Sequence, residues 1–139
     1  MLQRCVRGFS LIEVLIATAI LVTVAAGTAQ LFAIAVRSDA ITRQQLAMST
    51  LATAKIDELA ALAARAAPPP SEVGGLDRAI DGFSDVATSG GASFERRWSI
   101  APLPRYSATA VVIVLRVVPR AALNAGGLEV ATIADAGAP

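Results

Sequence analysis

From Val14 to Val36 the chain carries no charged residue. A helix needs about 20 apolar residues, at ~1.5 Å each, to cross the hydrocarbon of a bilayer. This run is long enough, and it is apolar on every side. Past Arg37-Ser38-Asp39 the pattern changes. Ile41, Met48, Leu51, Ala52, Ile56, Leu59, Leu62 and Ala63 recur at helical spacings, while Asp39, Arg43, Gln44, Thr53, Asp57 and Arg65 mostly fill other positions. That is the stripe of an amphipathic helix. No proline stands before Pro68-Pro69-Pro70, where the missing N–H and the restricted preceding residue end a helix. The pattern predicts one helix from about Phe9 to Ala66, on the order of 85 Å long. Residues 9–37 form its apolar half and residues 38–67 its amphipathic half.

The remainder, 68–139, reads as a β head with loops. Pro68 to Ala92 is rich in proline and in Gly74-Gly75, Gly82 and Gly90-Gly91, so it is expected to be connecting loop, with one short helical turn at Asp77–Asp81. Ser93–Ile100 alternates: Phe94, Arg96, Trp98 and Ile100 share one face, and Ser93, Glu95, Arg97 and Ser99 the other. Ala108–Val118 is a β-branched run closed by Pro119, and Leu128–Ile133 is a third run after Gly126-Gly127. Three strands separated by turn signals predict an antiparallel sheet. Alone, such a sheet buries too little apolar surface to be stable. The amphipathic stripe is its obvious cover. The expected fold class is α+β, a long N-terminal helix packed on a small C-terminal antiparallel sheet. Trp98 is expected to anchor the head core, an interface hot spot being the alternative.

Composition narrows the chemistry. Of 139 residues 55% are hydrophobic and only 17% charged, which leaves room for one domain plus a helix. Histidine is absent, and the single cysteine, Cys5, precedes the apolar run. Disulfides, thiol catalysis and Cys/His metal sites are therefore not expected from the rest of the chain. No basic patch is interleaved with aromatics, so nothing points to nucleic acid. No nucleophile–base pair and no phosphate-binding loop is visible, and neither an enzyme activity nor a cofactor is expected. Asp77, Asp81 and Asp85 stand at a spacing of four. Calcium needs six to eight oxygens from a looped ligand set, so they are read as a solvated acidic surface. Arg96, Arg97 and Arg105 are read as surface charge.

One residue breaks the apolar pattern. Glu13 lies inside the start of the membrane-length segment. A carboxylate deep in a spanning helix costs roughly 2.5–3.5 kcal/mol on insertion scales, which makes it a functional candidate whose partner must be named. It belongs to Arg7-Gly8-Phe9-Ser10-Leu11-Ile12-Glu13-Val14. That run resembles the prepilin signature of type IV pilins and type II secretion pseudopilins. The strong match covers about Arg7 to Ile20, and the rest of the chain is similar in architecture only. The resemblance implies cleavage between Gly8 and Phe9 by prepilin peptidase, removing residues 1–8 as a leader, and N-methylation of Phe9. It also implies that Glu13 pairs with the α-amino group of Phe9 on a neighbouring subunit, setting axial register. A local N-terminal cap is the alternative role. Pairing would turn two uncompensated charges in lipid into a hydrogen-bonded pair. Loss of Arg4 and Arg7 with the leader would leave ten basic against eleven acidic side chains.

The resemblance further implies a minor pilin or minor pseudopilin. Its partners would be other pilins or pseudopilins, the peptidase, the inner-membrane assembly platform and membrane lipid. Arg4 and Arg7 place the N-terminus in the cytoplasm and the head in the periplasm. The competing readings are a secretory signal peptide cut before Gln30, and a membrane-anchored periplasmic binding module outside any filament.

Overall fold

The computed structural model describes residues 10–103, 105, 108–121 and 126–137. The chain divides into two compact units, one up to Thr42 and the other from Arg43 onward. A single helix, α1, runs Leu11–Ala63. The Ser10 carbonyl accepts the Glu13 and Val14 amides at 3.0 and 3.3 Å, which makes Ser10 the residue that opens the helix. After Ala63 the backbone tightens: the Arg65 and Ala66 amides reach back only three residues, to Leu62 and Ala63. The prolines follow.

In the first unit α1 is exposed throughout, Leu11, Leu21, Phe32 and Val36 among its large apolar side chains. Thr18, Thr23 and Thr28 are the hydroxyl-bearing residues of the uncharged run. Each donates to a carbonyl three or four residues back in its own helix, at 2.8–3.2 Å. Their polar atoms are thereby satisfied without a neighbour.

In the second unit five strands form one antiparallel sheet: β1 (Val73–Gly74), β2 (Ser84–Ser89), β3 (Ala92–Pro102), β4 (Ala110–Pro119) and β5 (Leu128–Asp135). Strand β4 is central, paired with β3 on one side and β5 on the other. The free side of β3 is shared by β2 and β1. Register puts Trp98 opposite Leu115 and Ile100 opposite Ile113, so Phe94, Trp98 and Ile100 share a face with Val111, Ile113, Leu115 and Val117. Met48, Ala52 and Leu59 of α1 cover that face and complete the core. A fully apolar β-branched run suits β4 because it has strands on both sides and a helix on one face.

The strands at Ser93–Ile100, Ala108–Val118 and Leu128–Ile133 appear within a residue or two of expectation. The stretch Pro68 to Ala92, expected as loop, contains β1 and β2. Strand β2 is a hairpin partner of β3, joined through Gly90 and Gly91 at φ 58° and 80°. A two-residue turn with positive φ at both positions is the type I′ geometry that matches strand twist, and Gly-Gly is one of its signals. The same glycines that look like loop composition are the turn of a hairpin. Strand β1 is only two residues long and too short to carry a period. Gly74 in it has φ 89°, and a Cβ there would run into the Trp98 carbonyl. Of the stripe expected on α1, Ile41 and Leu62 are 58% and 53% exposed rather than covered.

The side chain of Leu115 is fully buried. Leu115→Ala is expected to cost about 2–5 kcal/mol. Ile133→Ala, on the opposite face of the sheet and 63% exposed, is expected to stay within about 0.5 kcal/mol. Urea unfolding of the detergent-solubilised chain, followed through the emission of its one tryptophan, measures both.

Candidate functional site

Glu13 lies in the first turn of α1. Ser10 opens the helix and Glu13 follows three residues later, the positions of a capping box. Neither side chain makes the reciprocal capping bond, and among the described residues no side chain pairs with the Glu13 carboxylate. It stands exposed at the positive end of the helix dipole, where a negative charge is favoured. Gly8 and Phe9, the expected cleavage and methylation positions, lie outside the described residues, and so does the Phe9 end of the expected Phe9–Glu13 pair. Nothing else polar follows Glu13 in the run until the threonines and Gln30.

The second group of functional candidates sits in the head, where α1 meets the sheet. Trp98 is 7% exposed and packs in the core. Its ring meets Phe83 at a tilt, with centroids 6.5 Å apart. Over it lies the ammonium of Lys55, 4.5 Å from the ring centroid. Lys55 is buried, yet its Nζ donates to Glu58 at 2.9 Å and meets Asp85 at 3.2 Å. Asp85 in turn accepts two bonds from Arg96, at 2.6 and 2.7 Å. Two cations and two carboxylates thus neutralise one another beside an indole face. A charge can be retained at such an interface only when paired and hydrogen-bonded in this way.

Sequence reading missed this cluster. Lys55 falls in the series Met48, Ala52, Lys55, Leu59 at spacings of four, three and four, so the helical period was the signal that could have placed it on the buried stripe. Its aliphatic stem supplies the apolar contact and its head reaches the carboxylates. Asp85 is not part of a solvated acidic surface: pairing of β2 with β3 puts it opposite Arg96. Arg96 is not a free surface charge, and neither is Arg97. On the other face of the sheet, Arg97 donates to Glu95 at 2.8 Å and to the carbonyls of Leu76 and Asp77 at 3.3 and 2.7 Å, pinning the loop that precedes β2. Partial burial pushes the Asp85 pKa up, but the hydrogen bonds and charges of Arg96 and then Lys55 outweigh it and hold the carboxyl below its ordinary value. Glu95 is likewise lowered, chiefly by the Arg97 hydrogen bond, against some burial.

A cavity of about 460 Å3 opens beside Trp98. Leu59, Leu62, Pro69, Phe83 and Ile100 contribute to its walls, and the lining is apolar apart from Lys55 and Glu58. Among the described residues no cluster of three or more His, Cys, Asp or Glu side chains stands close enough to hold a metal ion. The charge cluster does structural work: it fixes the rotation of α1 over the sheet through Lys55 and ties β2 to both.

The fold defines a class: one long N-terminal helix on a small antiparallel sheet is a pilin-like layout. Residues 3–29 match the family described as the prokaryotic N-terminal methylation motif. That motif is the prepilin-type signal of type IV pilins and pseudopilins, and it marks a pilin-like protein processed by prepilin peptidase. Together with an apolar helix long enough to cross a bilayer, it points to membrane anchoring. No curated protein and no solved structure matches the chain.

Protonating Asp85 removes the bridge between Lys55 and Arg96. The unfolded chain binds that proton near about pH 4, and the folded chain only at lower pH. The contribution of Asp85 to stability is therefore complete above about pH 4 and drains as pH falls through the folded-state value. Asp85→Asn is expected to destabilise the head by about 1–3 kcal/mol at neutral pH, discounted for partial exposure, and to flatten the loss of stability between about pH 5 and 3. Thermal melts of both chains across that range provide the measurement.

Proposed function

We propose that this chain is a minor pilin or minor pseudopilin, a structural, non-catalytic subunit of a type II secretion pseudopilus or a type IV pilus. It would be held in the inner membrane with its N-terminus cytoplasmic and its head periplasmic, cut between Gly8 and Phe9, methylated at Phe9 and passed to an assembly platform. The observation that carries the reading is the joining of two features in one segment. The prepilin-type signal leads into an apolar helix whose most hydrophobic window is wholly unburied in its own chain. Such a surface needs lipid first and the helices of other subunits afterwards.

Glu13 is assigned the intersubunit role. Its carboxylate is not used by its own helix, and the α-amino group of a neighbouring Phe9 is the charge that would compensate it in hydrocarbon. The head has its own core and needs no disulfide to close it, which suits a minor component at the end of a filament. A membrane-anchored binding module outside any filament remains the competing reading and is separated by the experiment.

Intact mass and N-terminal sequence of the protein from its own host, with and without prepilin peptidase, test this directly. The expected product begins at methylated Phe9 and disappears without the peptidase. Glu13→Ala is expected to be cut normally but to be depleted from sheared filaments. A chain that begins at Gln30 or still at Met1, or one never found in filaments, would overturn the proposal.

A further inference from the structure

The uncharged run Val14 to Val36 contains four polar side chains: Thr18, Thr23, Thr28 and Gln30. The three threonines are satisfied by carbonyls of their own helix. Gln30 is not. Its primary amide makes no hydrogen bond among the described residues and stands exposed. An amide without a partner in hydrocarbon costs several kcal/mol by transfer scales, whichever lipid surrounds it. Gln30 lies seven residues before Arg37, about 10 Å inside the point where charge resumes, too deep for its short side chain to reach headgroup water.

Its place on the helix is also informative. Ile12, Ile16, Ala19, Thr23, Ala26, Gln30, Ala33 and Arg37 follow one another at alternating spacings of four and three. That is the spacing of a heptad seam; Thr23 on it bonds its own helix and Arg37 ends it, which leaves Gln30 as the polar side chain within the uncharged run that can set register and partner number. One turn away on either side the seam carries only Ala26 and Ala33, so another backbone can approach closely enough for a glutamine to reach across.

We infer that α1 pairs in the membrane with a second copy of this chain, in parallel and in register, through a reciprocal hydrogen bond between the two Gln30 amides. A primary amide both donates and accepts, so two of them at one depth satisfy each other. Copies inserted with the same orientation put Gln30 at one depth by construction. A purely aliphatic neighbour would leave the amide unpaired. The pair would form in the bilayer before any filament does. The inference rests on the reading of this segment as membrane-embedded and deepens it by naming a first partner.

The test uses the full, unprocessed chain in vesicles of phosphatidylethanolamine and phosphatidylglycerol, labelled with donor or acceptor at Cys5. Energy transfer is followed as lipid is added. The wild type is expected to dimerise. Gln30→Leu is expected to weaken the dimer about 3- to 30-fold, and Gln30→Asn, which keeps the amide, to retain most of it. In a Cys5→Ser background, oxidation is expected to cross-link Ala26→Cys and Ala33→Cys on the seam well ahead of Ala25→Cys and Ala35→Cys off it. Equal transfer in wild type and Gln30→Leu, cross-linking without preference for the seam, or pairing only with a different prepilin would overturn the inference. Each would leave the filament reading standing, because cleavage at Gly8 by added peptidase is scored in the same vesicles. A chain that alkaline carbonate strips from the vesicles would overturn both.

Discussion

The head depends on one coverage problem. Its sheet has an apolar face built by Phe94, Trp98, Val111, Ile113, Leu115 and Val117, and a small sheet cannot hold such a face against water by itself. The cover is a short stretch of α1, with Met48, Ala52 and Leu59 as its buried apolar contacts. Alanine at the centre of that stripe lets the helix lie close. Burial there is non-directional, so by itself it leaves the helix free to rotate or slide over the sheet. The Lys55–Asp85–Arg96 contacts remove that freedom, because charge-assisted hydrogen bonds demand direction. Specificity of docking thus comes from polar atoms placed in an otherwise apolar interface.

The same chain solves the opposite problem in its first unit. There, no sheet covers the helix, and the apolar side chains of α1 face outward all round. The polar atoms that remain are mostly cancelled internally by threonine hydroxyls turned back onto carbonyls. Among the described residues the Glu13 carboxylate and the Gln30 amide are left without a hydrogen-bond partner. In the head, polar groups are buried to fix one packing; in the apolar segment these two stand exposed.

Much of this was legible in the residues, for physical reasons that differ by element. The apolar run, the stripe after it and the triple proline determined α1 almost to its ends, since periodicity summed over many turns is a strong signal. Strand β4 was legible because a β-branched run closed by proline has few other uses. Strand β2 was not, because Ser84–Ser89 holds one large apolar residue, Val86, and draws its stability from pairing with β3. The Gly90-Gly91 turn was the available clue and was outweighed by the surrounding glycine and proline content. Asp85 and Arg96 were misread together, each being a surface residue by type, and Lys55 was not singled out. Only tertiary pairing brings residues so far apart in sequence into one network, and no local pattern reports that. The signal around Glu13 was legible from residue types in order, whereas among the described residues nothing pairs with its carboxylate, so the fold adds no partner to that reading.

Lys55 is the only lysine in the chain, and it is 7% exposed. Its amine is held between two carboxylates with an indole beneath it. Biotin esters, amine-reactive dyes and lysine-directed cross-linkers therefore find almost no handle on this head while it is folded. A head of this kind would go unseen in a lysine-directed cross-linking map, even if it were in intimate contact with a neighbour. Conversely, any modification at Lys55 would be a clock for the moments when helix and sheet part.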